Sequence, residues 1–226
     1  INMESYKEVI KLDDYNLITP YLEKLNKDDL YVKMRQESNL LILGSISDDL
    51  LRLKESQLLP TKKTEELLNY LIKIISKPNK ENSILIGRAV WCISKLLCLV
   101  RNDFEFLSKI FDAVSQTMIN KNSDLSIQLV SAQCISIICQ RLITQKKEIN
   151  SKLITKDYDK LIQLLDSVNE ETIFIPIENL LYLTKLNKEY LMYIPLHHLN
   201  SVLKIYSTNF NDPYIGPKIL ELIKLW

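Results

Sequence analysis

The stretch "ILIGRAVWCISKLLCLV", residues 84 to 100, carries only two charged side chains, Arg88 and Lys95, in a chain whose residues are 25% charged. A helix that crosses a membrane needs roughly 20 consecutive apolar residues with almost no charge, and this stretch is shorter and interrupted twice. It therefore predicts a helix that is buried on several sides by other helices of the same fold.

The composition excludes several classes of protein. The chain has 226 residues, enough for a substantial core, and its 29 basic and 28 acidic residues give a formal net charge of +1. No overall field then attracts nucleic acid or an anionic membrane. Sheets joined by tight turns and phosphate-binding loops both need glycine, and the chain has three glycines. We expect an all-α protein with no direct nucleic-acid binding and no membrane insertion.

Helical periodicity runs along almost the whole chain. Apolar residues recur at steps of three and four, and the prolines stand where helices are expected to begin or end, with Pro176 in a first turn or at a kink. The predicted helices are 14–26, 31–46, 61–76, 83–100, 103–119, 124–143, 157–168, 172–187, 195–209 and 212–226. The expected N-caps are Asn82 or Ser83, Ser123 or Asp124, and Asn211 or Asp212.

Four segments indicate an internal repeat, because each has a small or polar residue followed by an aliphatic run. They are "RQESNLLILGSIS" (35–47), "GRAVWCISKLLCL" (87–99), "LVSAQCISIICQR" (129–141) and "IENLLYLTKLNKE" (177–189). Alignment of Ser38, Ala89, Ala132 and Asn179 gives steps of 51, 43 and 47 residues, and Gly216 follows after 37. These steps bracket the roughly 40 to 47 residues of HEAT and armadillo repeats.

The repeat predicts one α-solenoid of antiparallel helix pairs. Its five HEAT-like or armadillo-like units are expected at about 1–47, 48–100, 101–145, 146–190 and 191–226. In such a stack a small residue lets the backbones of neighbouring helices approach, while Trp91, Leu96, Ile135 and Ile138 fill the layers between them.

The segments "ILIGRAVWCISKLLCLVRNDFEFLSKIFDAVSQTM", "DLSIQLVSAQCISIICQRL" and "NDPYIGPKILELIKLW" resemble, in this order, the central HEAT repeats of the importin-β family of nuclear transport receptors. They are most similar to its importin-9 branch, including the yeast counterpart. The resemblance covers about residues 31 to 226. Because members of this family are several times longer and the sequence begins "INMESYKEV", we expect the chain to be an internal piece of a longer receptor.

The resemblance implies partners and a location. It implies binding of protein cargo, of Ran-GTP and of nucleoporins, with shuttling between cytoplasm and nucleus. For this branch it implies core histones or other basic nuclear proteins as cargo and, in yeast, the TATA-binding protein. The alternative from another class is a HEAT or armadillo scaffold, of the vesicle-coat or phosphatase-scaffold type, with no transport role.

Carboxylates are the candidate binding residues, because a receptor for basic cargo needs them on its concave face or in its loops. The candidates are Asp48, Asp49, Glu65, Glu66, Glu170, Glu171 and Glu178. The last three open a second helix of a repeat and are the preferred site. The alternative for all of them is ordinary solvation and a favourable position at helix N-termini.

No catalytic, cofactor or metal site is predicted. His197 and His198 are the only histidines, and adjacent side chains on a helix point about 100° apart, with no carboxylate cluster evident nearby in the sequence. Cys92, Cys98, Cys134 and Cys139 lack zinc-site spacing and are expected to be buried. The basic run at Lys146, Lys147 and Lys152 is expected to be a solvated loop, and Tyr182, Tyr190, Tyr193 and Tyr206 to be half-buried.

Overall fold

The computed structural model describes residues 30–56, 61–76, 82–100, 103–147, 153–187 and 194–226. The predicted helix 14–26 and the residues Lys152, Tyr190 and Tyr193 lie outside these ranges. Within them the chain is all-helical and contains no strand, as the periodicity predicts.

Ten α-helices occupy the described ranges. They are α1 (Leu30–Ser45), α2 (Ser47–Glu55), α3 (Thr61–Ile75), α4 (Ser83–Leu96), α5 (Phe104–Ile119), α6 (Leu125–Thr144), α7 (Ile154–Leu165), α8 (Phe174–Leu186), α9 (Leu196–Asn209) and α10 (Ile215–Leu225). A 3₁₀ turn, Leu97–Leu99, follows α4 directly. Pro176 is the third residue of α8, in its first turn, as expected.

The helices pack in two rows. Helices α1, α4, α6, α8 and α10 each contact the next, and we call them the second-helix row. Helices α3, α5, α7 and α9 do the same and form the first-helix row. Each member of the first-helix row also contacts the helix that follows it in the chain, in the pairs α3/α4, α5/α6, α7/α8 and α9/α10. This all-helical arrangement is compatible with an α-solenoid.

The apolar stretch that opens the sequence is buried, because α4 contacts α1, α3 and α6. Ala89, Val90, Cys92 and Ile93 are fully buried on it. Ala132 and Asn179 are fully buried at the corresponding places on α6 and α8. The expectation of a helix covered on several sides is therefore confirmed.

The first small residue of the sequence alignment is misplaced. Ser38 is exposed, and its hydroxyl donates to the Met34 carbonyl of its own helix at 3.0 Å. The close approach of α1 and α4 occurs instead at Gly44, where an added Cβ would overlap the ring of Trp91. Gly216, in α10, faces the end of α9, since a Cβ there would lie 2.7 Å from the Phe210 carbonyl oxygen.

Helix α2 lies in a stretch for which the periodicity predicts no helix. It has Asp48 and Asp49 in its first turn and Arg52 and Lys54 in its last turn, which is the charge order that a helix dipole favours. Lys54 donates to the Leu99 carbonyl at the end of the 3₁₀ turn. Helix α2 thus supplies a cation to the C-terminal end of α4.

Arg141 of α6 closes the same end. Its guanidinium donates to the carbonyls of Leu97 and Val100. Carbonyls at a helix C-terminus have no partner within the helix, and cationic donors satisfy both their hydrogen-bonding capacity and the negative end of the dipole. The C-terminal end of α4 is therefore fixed by side chains from α2 and α6.

Two predicted helices begin three residues away from the observed start. Helix α10 starts at Ile215 and not at 212, and α7 is the other. Helix α7 starts at Ile154 and not at 157, because Ile154, Tyr158, Leu161 and Leu165 form one buried stripe. Asp157 consequently lies inside the helix and is fully buried. The Ser115 hydroxyl of α5 donates to its Oδ2 at 2.9 Å.

The expected N-caps differ in what they do. Oδ1 of Asp212 accepts from the amides of Tyr214 and Ile215, both at 2.8 Å, so Asp212 satisfies free amides before α10 as expected, although the N-cap position itself is occupied by Tyr214. Asn82 and Asp124 occupy N-cap positions without a side-chain bond to the helix. The Ser123 hydroxyl instead donates to the Thr117 carbonyl at 2.8 Å.

The expectation that all four cysteines are buried is wrong for one of them. Cys92, Cys134 and Cys139 are buried, but Cys98 is exposed. It lies in the 3₁₀ turn, whose tighter winding changes the direction of its side chain relative to a continued α-helix. Its thiol contacts the Lys95 carbonyl at 3.1 Å.

Candidate protein-interaction surface

A cleft of about 350 Å³ lies between the N-terminal halves of α4 and α6. Ile84, Gly87, Arg88 and Trp91 line it from α4, and Ile127 and Val130 are among its residues on α6. It is mainly apolar and open to solvent. A Cβ at Gly87 would meet only Ile127, at 3.8 Å, so the absence of a side chain there leaves the cleft open without being required by packing.

The indole of Trp91 forms one wall of the cleft and is flanked by cations. The guanidinium carbon of Arg88 lies 5.2 Å from the ring centroid, and Nζ of Lys95 lies 6.0 Å away. Nε of Arg88 also contacts Oε1 of Glu37 on α1 at 2.6 Å. The ring is therefore held in place by its neighbours while part of it remains accessible.

Apolar side chains are exposed along the rest of the second-helix row. Ile84 is 75% exposed on α4, Ile137 is 36% exposed on α6 and Phe174 is 38% exposed on α8. The flanks of these three helices are covered by their neighbours in the row and their backs by the first-helix row. The exposed side chains consequently lie on the remaining face, which we call the solvent face of the second-helix row.

Ion pairs join neighbouring helices of this row. Besides Glu37 and Arg88 between α1 and α4, Lys218 of α10 pairs with Glu178 of α8. Lys185 of α8 pairs with Glu221 of α10 at 2.7 Å between Nζ and Oε1. Charges on this row thus connect successive helices.

The structure distributes the seven predicted carboxylates over four places. Asp48 and Asp49 begin α2, and Glu65 and Glu66 lie in α3 of the first-helix row. Glu170 and Glu171 are adjacent and exposed in the turn before α8. Glu178, also expected to bind cargo, lies in α8, is half-buried and pairs with Lys218.

Local partners further reduce the availability of this set. Asp49 pairs with Arg52 at 3.7 Å, and Glu66 pairs with Lys63 at 4.0 Å, each within its own helix. Glu170 and Glu171 remain the predicted pair that the structure keeps together and exposed. Binding of a partner protein by any of these residues stays a prediction.

The two histidines have a neighbour that the sequence did not indicate. His198 is fully buried and His197 is exposed at the start of α9, while Asp159 reaches them from α7. Nε2 of His198 lies 3.0 Å from Oδ1 of Asp159. The sequence shows no carboxylate cluster beside the two histidines, and the structure brings a single carboxylate, that of Asp159, to them from another helix.

Two expectations about side chains outside the cleft are confirmed. Tyr182 and Tyr206 are half-buried. Lys146 and Lys147 are exposed in the turn that ends α6, where Lys146 has a φ of 54° and the amide of Lys147 donates to the Leu142 carbonyl at 3.0 Å.

Helix α6 is long and apolar enough to cross a membrane by length and composition. Over half of its most apolar window, 56%, is buried inside the fold, in contact with α4, α5 and α8. Among the described residues its apolar character is thus accounted for by packing, which makes it weak support for a membrane span.

Comparison of the chain with protein-family models, with curated proteins and with solved structures finds no match.

Proposed function

We propose that the chain is an α-solenoid segment of HEAT-like repeats that binds other proteins non-covalently through the solvent face of its second-helix row. The order of the helices supports this, because pairs that follow each other in sequence also follow each other in space in both rows. In such a stack many individually weak contacts together give a specific interaction, and small rotations between units adapt the surface to the bound protein.

The cleft beside Trp91 is the observation that carries the proposal. It presents a fixed aromatic ring, an exposed Ile84 and no large side chain at Gly87. Aromatic and aliphatic side chains that insert into such pockets supply most of the free energy of many protein interfaces. The occupant is an apolar side chain from an extended segment or helix of the bound protein.

The parent protein, in this proposal, is a nuclear import receptor of the importin-β family. The support is the sequence resemblance over residues 31 to 226, together with the all-helical paired arrangement. The cargo is a basic nuclear protein such as a core histone, whose charge Glu170 and Glu171 would meet. Ran-GTP releases it by favouring a receptor shape with lower affinity for cargo.

One binding experiment tests both levels of the proposal. The full-length protein is passed over immobilised core histones with and without Ran-GTP. Capture that Ran-GTP reverses supports the import receptor. Failure of Ran-GTP to bind the full-length protein, measured directly, would exclude it.

Two single variants and one double variant locate the surface. Ile84→Asp places a charge at the mouth of the cleft and should weaken capture, while Leu203→Asp changes a 42% exposed leucine on α9 of the first-helix row and should not. Glu170→Lys with Glu171→Lys should weaken capture of histones through charge alone. Equal capture by all variants would place the binding surface elsewhere.

A scaffold without transport activity is the second candidate, and the dispersal of the carboxylates favours it. Three of the seven, Asp49, Glu66 and Glu178, form ion pairs. The other four lie on α2, on α3 and in the turn before α8, so they form no continuous acidic face for basic cargo, whereas the cleft is apolar. Capture of a non-basic partner that depends on Ile84 and is insensitive to Ran-GTP would support this function.

A further inference from the structure

Three side chains with metal-binding atoms converge between α7 and α9. The candidate ligand atoms of Asp159, His197 and His198 all lie within 4.8 Å of one another. The two rings are 4.3 Å apart between centroids and inclined at 71°. Although adjacent residues of a helix diverge, these two rings and the carboxylate of the neighbouring helix therefore place their ligand atoms within a short distance of one another.

The donor set is that of a transition-metal site. Two imidazole nitrogens and one carboxylate oxygen are ligands that zinc accepts at about 2.0 to 2.2 Å. In tetrahedral coordination such ligands lie about 3.3 Å apart. The 3.0 Å contact between His198 and Asp159 is already close to this separation.

The remaining adjustment falls on side chains that can move. The side chain of Asp159 is 51% exposed and His197 is exposed, whereas His198 is buried and fixed by its surroundings. We expect rotation of the exposed pair to bring the ligand atoms together, because neither of these two side chains is part of the core. The carboxylate is essential, because the rings lie in the first turn of α9, where the helix dipole disfavours a cation.

Helix α9 is also the place where an added link has most effect. Only His198 and Val202 are buried among its 14 residues, against seven of 12 in α7. Its described ionic contact with α7 besides this cluster is the pair of Lys204 and Asp166, exposed and 3.8 Å apart. A ligand that binds the folded state and bridges two helices stabilises their contact.

We propose that Asp159, His197 and His198 bind one divalent transition-metal ion, zinc by donor preference, which links α9 to α7 in the first-helix row. With three protein ligands the ion keeps one position for water. In the full chain its role is to hold two neighbouring helix pairs at a fixed angle.

The experiment uses the protein freed of metal by chelation, in a Cys98→Ser background so that the exposed thiol does not bind zinc. Titration calorimetry with zinc chloride should give one equivalent per chain, and zinc should raise the Tm. His197→Ala and Asp159→Asn change exposed side chains, so both variants should fold. Loss of an outer-shell partner of a metal site costs about 10- to 100-fold in affinity, and loss of a direct ligand should cost at least that.

Asp166→Asn is the matched control, because it removes an exposed carboxylate from the same helix boundary without touching the three ligands. It should retain zinc binding and the rise in Tm. Absence of zinc binding in the parent, or equal affinity in His197→Ala, Asp159→Asn and Asp166→Asn, would overturn the proposal. The three residues would then be a hydrogen-bonded cluster only.

Discussion

The side-chain amide of Asn179 donates to the main-chain carbonyl of Ala132 at 2.8 Å. Both residues are fully buried, one on α8 and the other on α6. They are 47 residues apart in the chain, which is the step between two aligned segments of the sequence. The two positions that the sequence alignment pairs are thus joined directly by a hydrogen bond between α8 and α6.

Asn179→Ala should therefore destabilise the protein. The change removes a buried hydrogen bond and leaves a small void, and loss of such a bond costs about 1 to 3 kcal/mol. Urea denaturation followed by circular dichroism measures the free energy of unfolding. Asn200→Ala, on the exposed surface of α9, is the control and should be close to neutral. Equal effects of the two changes would contradict the importance of the bond between α6 and α8.

Enlarging the small residues tests the close approach of the second-helix row. Ala89→Leu and Ala132→Leu should each destabilise by about 1 to 3 kcal/mol, because both alanines are fully buried between helices and overpacking forces strain. Ser38→Leu is the matched control, since Ser38 aligns with them in sequence but is exposed. Thermal denaturation should distinguish the alanine variants from Ser38→Leu. A large loss of stability in Ser38→Leu would place this residue in a helix contact.

Thiol labelling tests the burial of the cysteines. Of the four, only Cys98 should react rapidly with a maleimide under native conditions, because it is exposed and the others are buried. Burial raises the pKa of all four thiols, to about 12 for Cys92 and Cys134, so the exposure of Cys98 is what distinguishes it from the others. Cys98→Ser should abolish the fast phase seen by mass spectrometry. Rapid labelling of several cysteines would mean that α4 and α6 open readily.

Local pattern predicts much of this fold and little of its chemistry. The apolar run on α4 and the small residues Ala89 and Ala132 reveal burial because both signals lie within one helix. The same reasoning does not predict α2, since this helix is short and charged and packs mainly against the 3₁₀ turn that follows α4. Register is the weakest inference, as the exposure of Ser38 and the role of Gly44 show.

Side-chain clusters between helices are harder to predict than the helices themselves. Asp159 meets His197 and His198 only because α9 lies against α7, and nothing in the spacing of these residues in the chain indicates it. The cleft at Trp91 likewise depends on the distance between α4 and α6. The predicted carboxylates, chosen by composition along the chain, are spread over separate elements for the same reason.

The last prediction concerns Asp157, a carboxyl group buried at the contact of α7 with α5. Burial raises the pKa of this group from the usual range to about 8; the Ser115 hydrogen bond lowers it and the charge of Asp112 raises it. In the unfolded chain an aspartate has a pKa of about 3.9. Between about pH 4 and pH 8 the folded state therefore keeps a proton that the unfolded state releases.

Stability must then fall as pH rises through this window, because the folded state binds more protons than the unfolded state. The contribution is fully present below about pH 4 and is lost by about pH 8. Asp157→Asn keeps an acceptor for Ser115 but cannot ionise, so its stability does not fall with pH for this reason. The free energy of unfolding of the variant relative to the parent should increase with pH, by at most roughly 1.4 kcal/mol per pH unit.

Urea denaturation at pH 5, 6 and 7 measures this slope. Ser115→Ala removes a hydrogen bond that favours the charged form of Asp157, so in this variant the fall in stability should continue to higher pH. A difference between Asp157→Asn and the parent that does not change with pH would mean that Asp157 is ionised inside the fold.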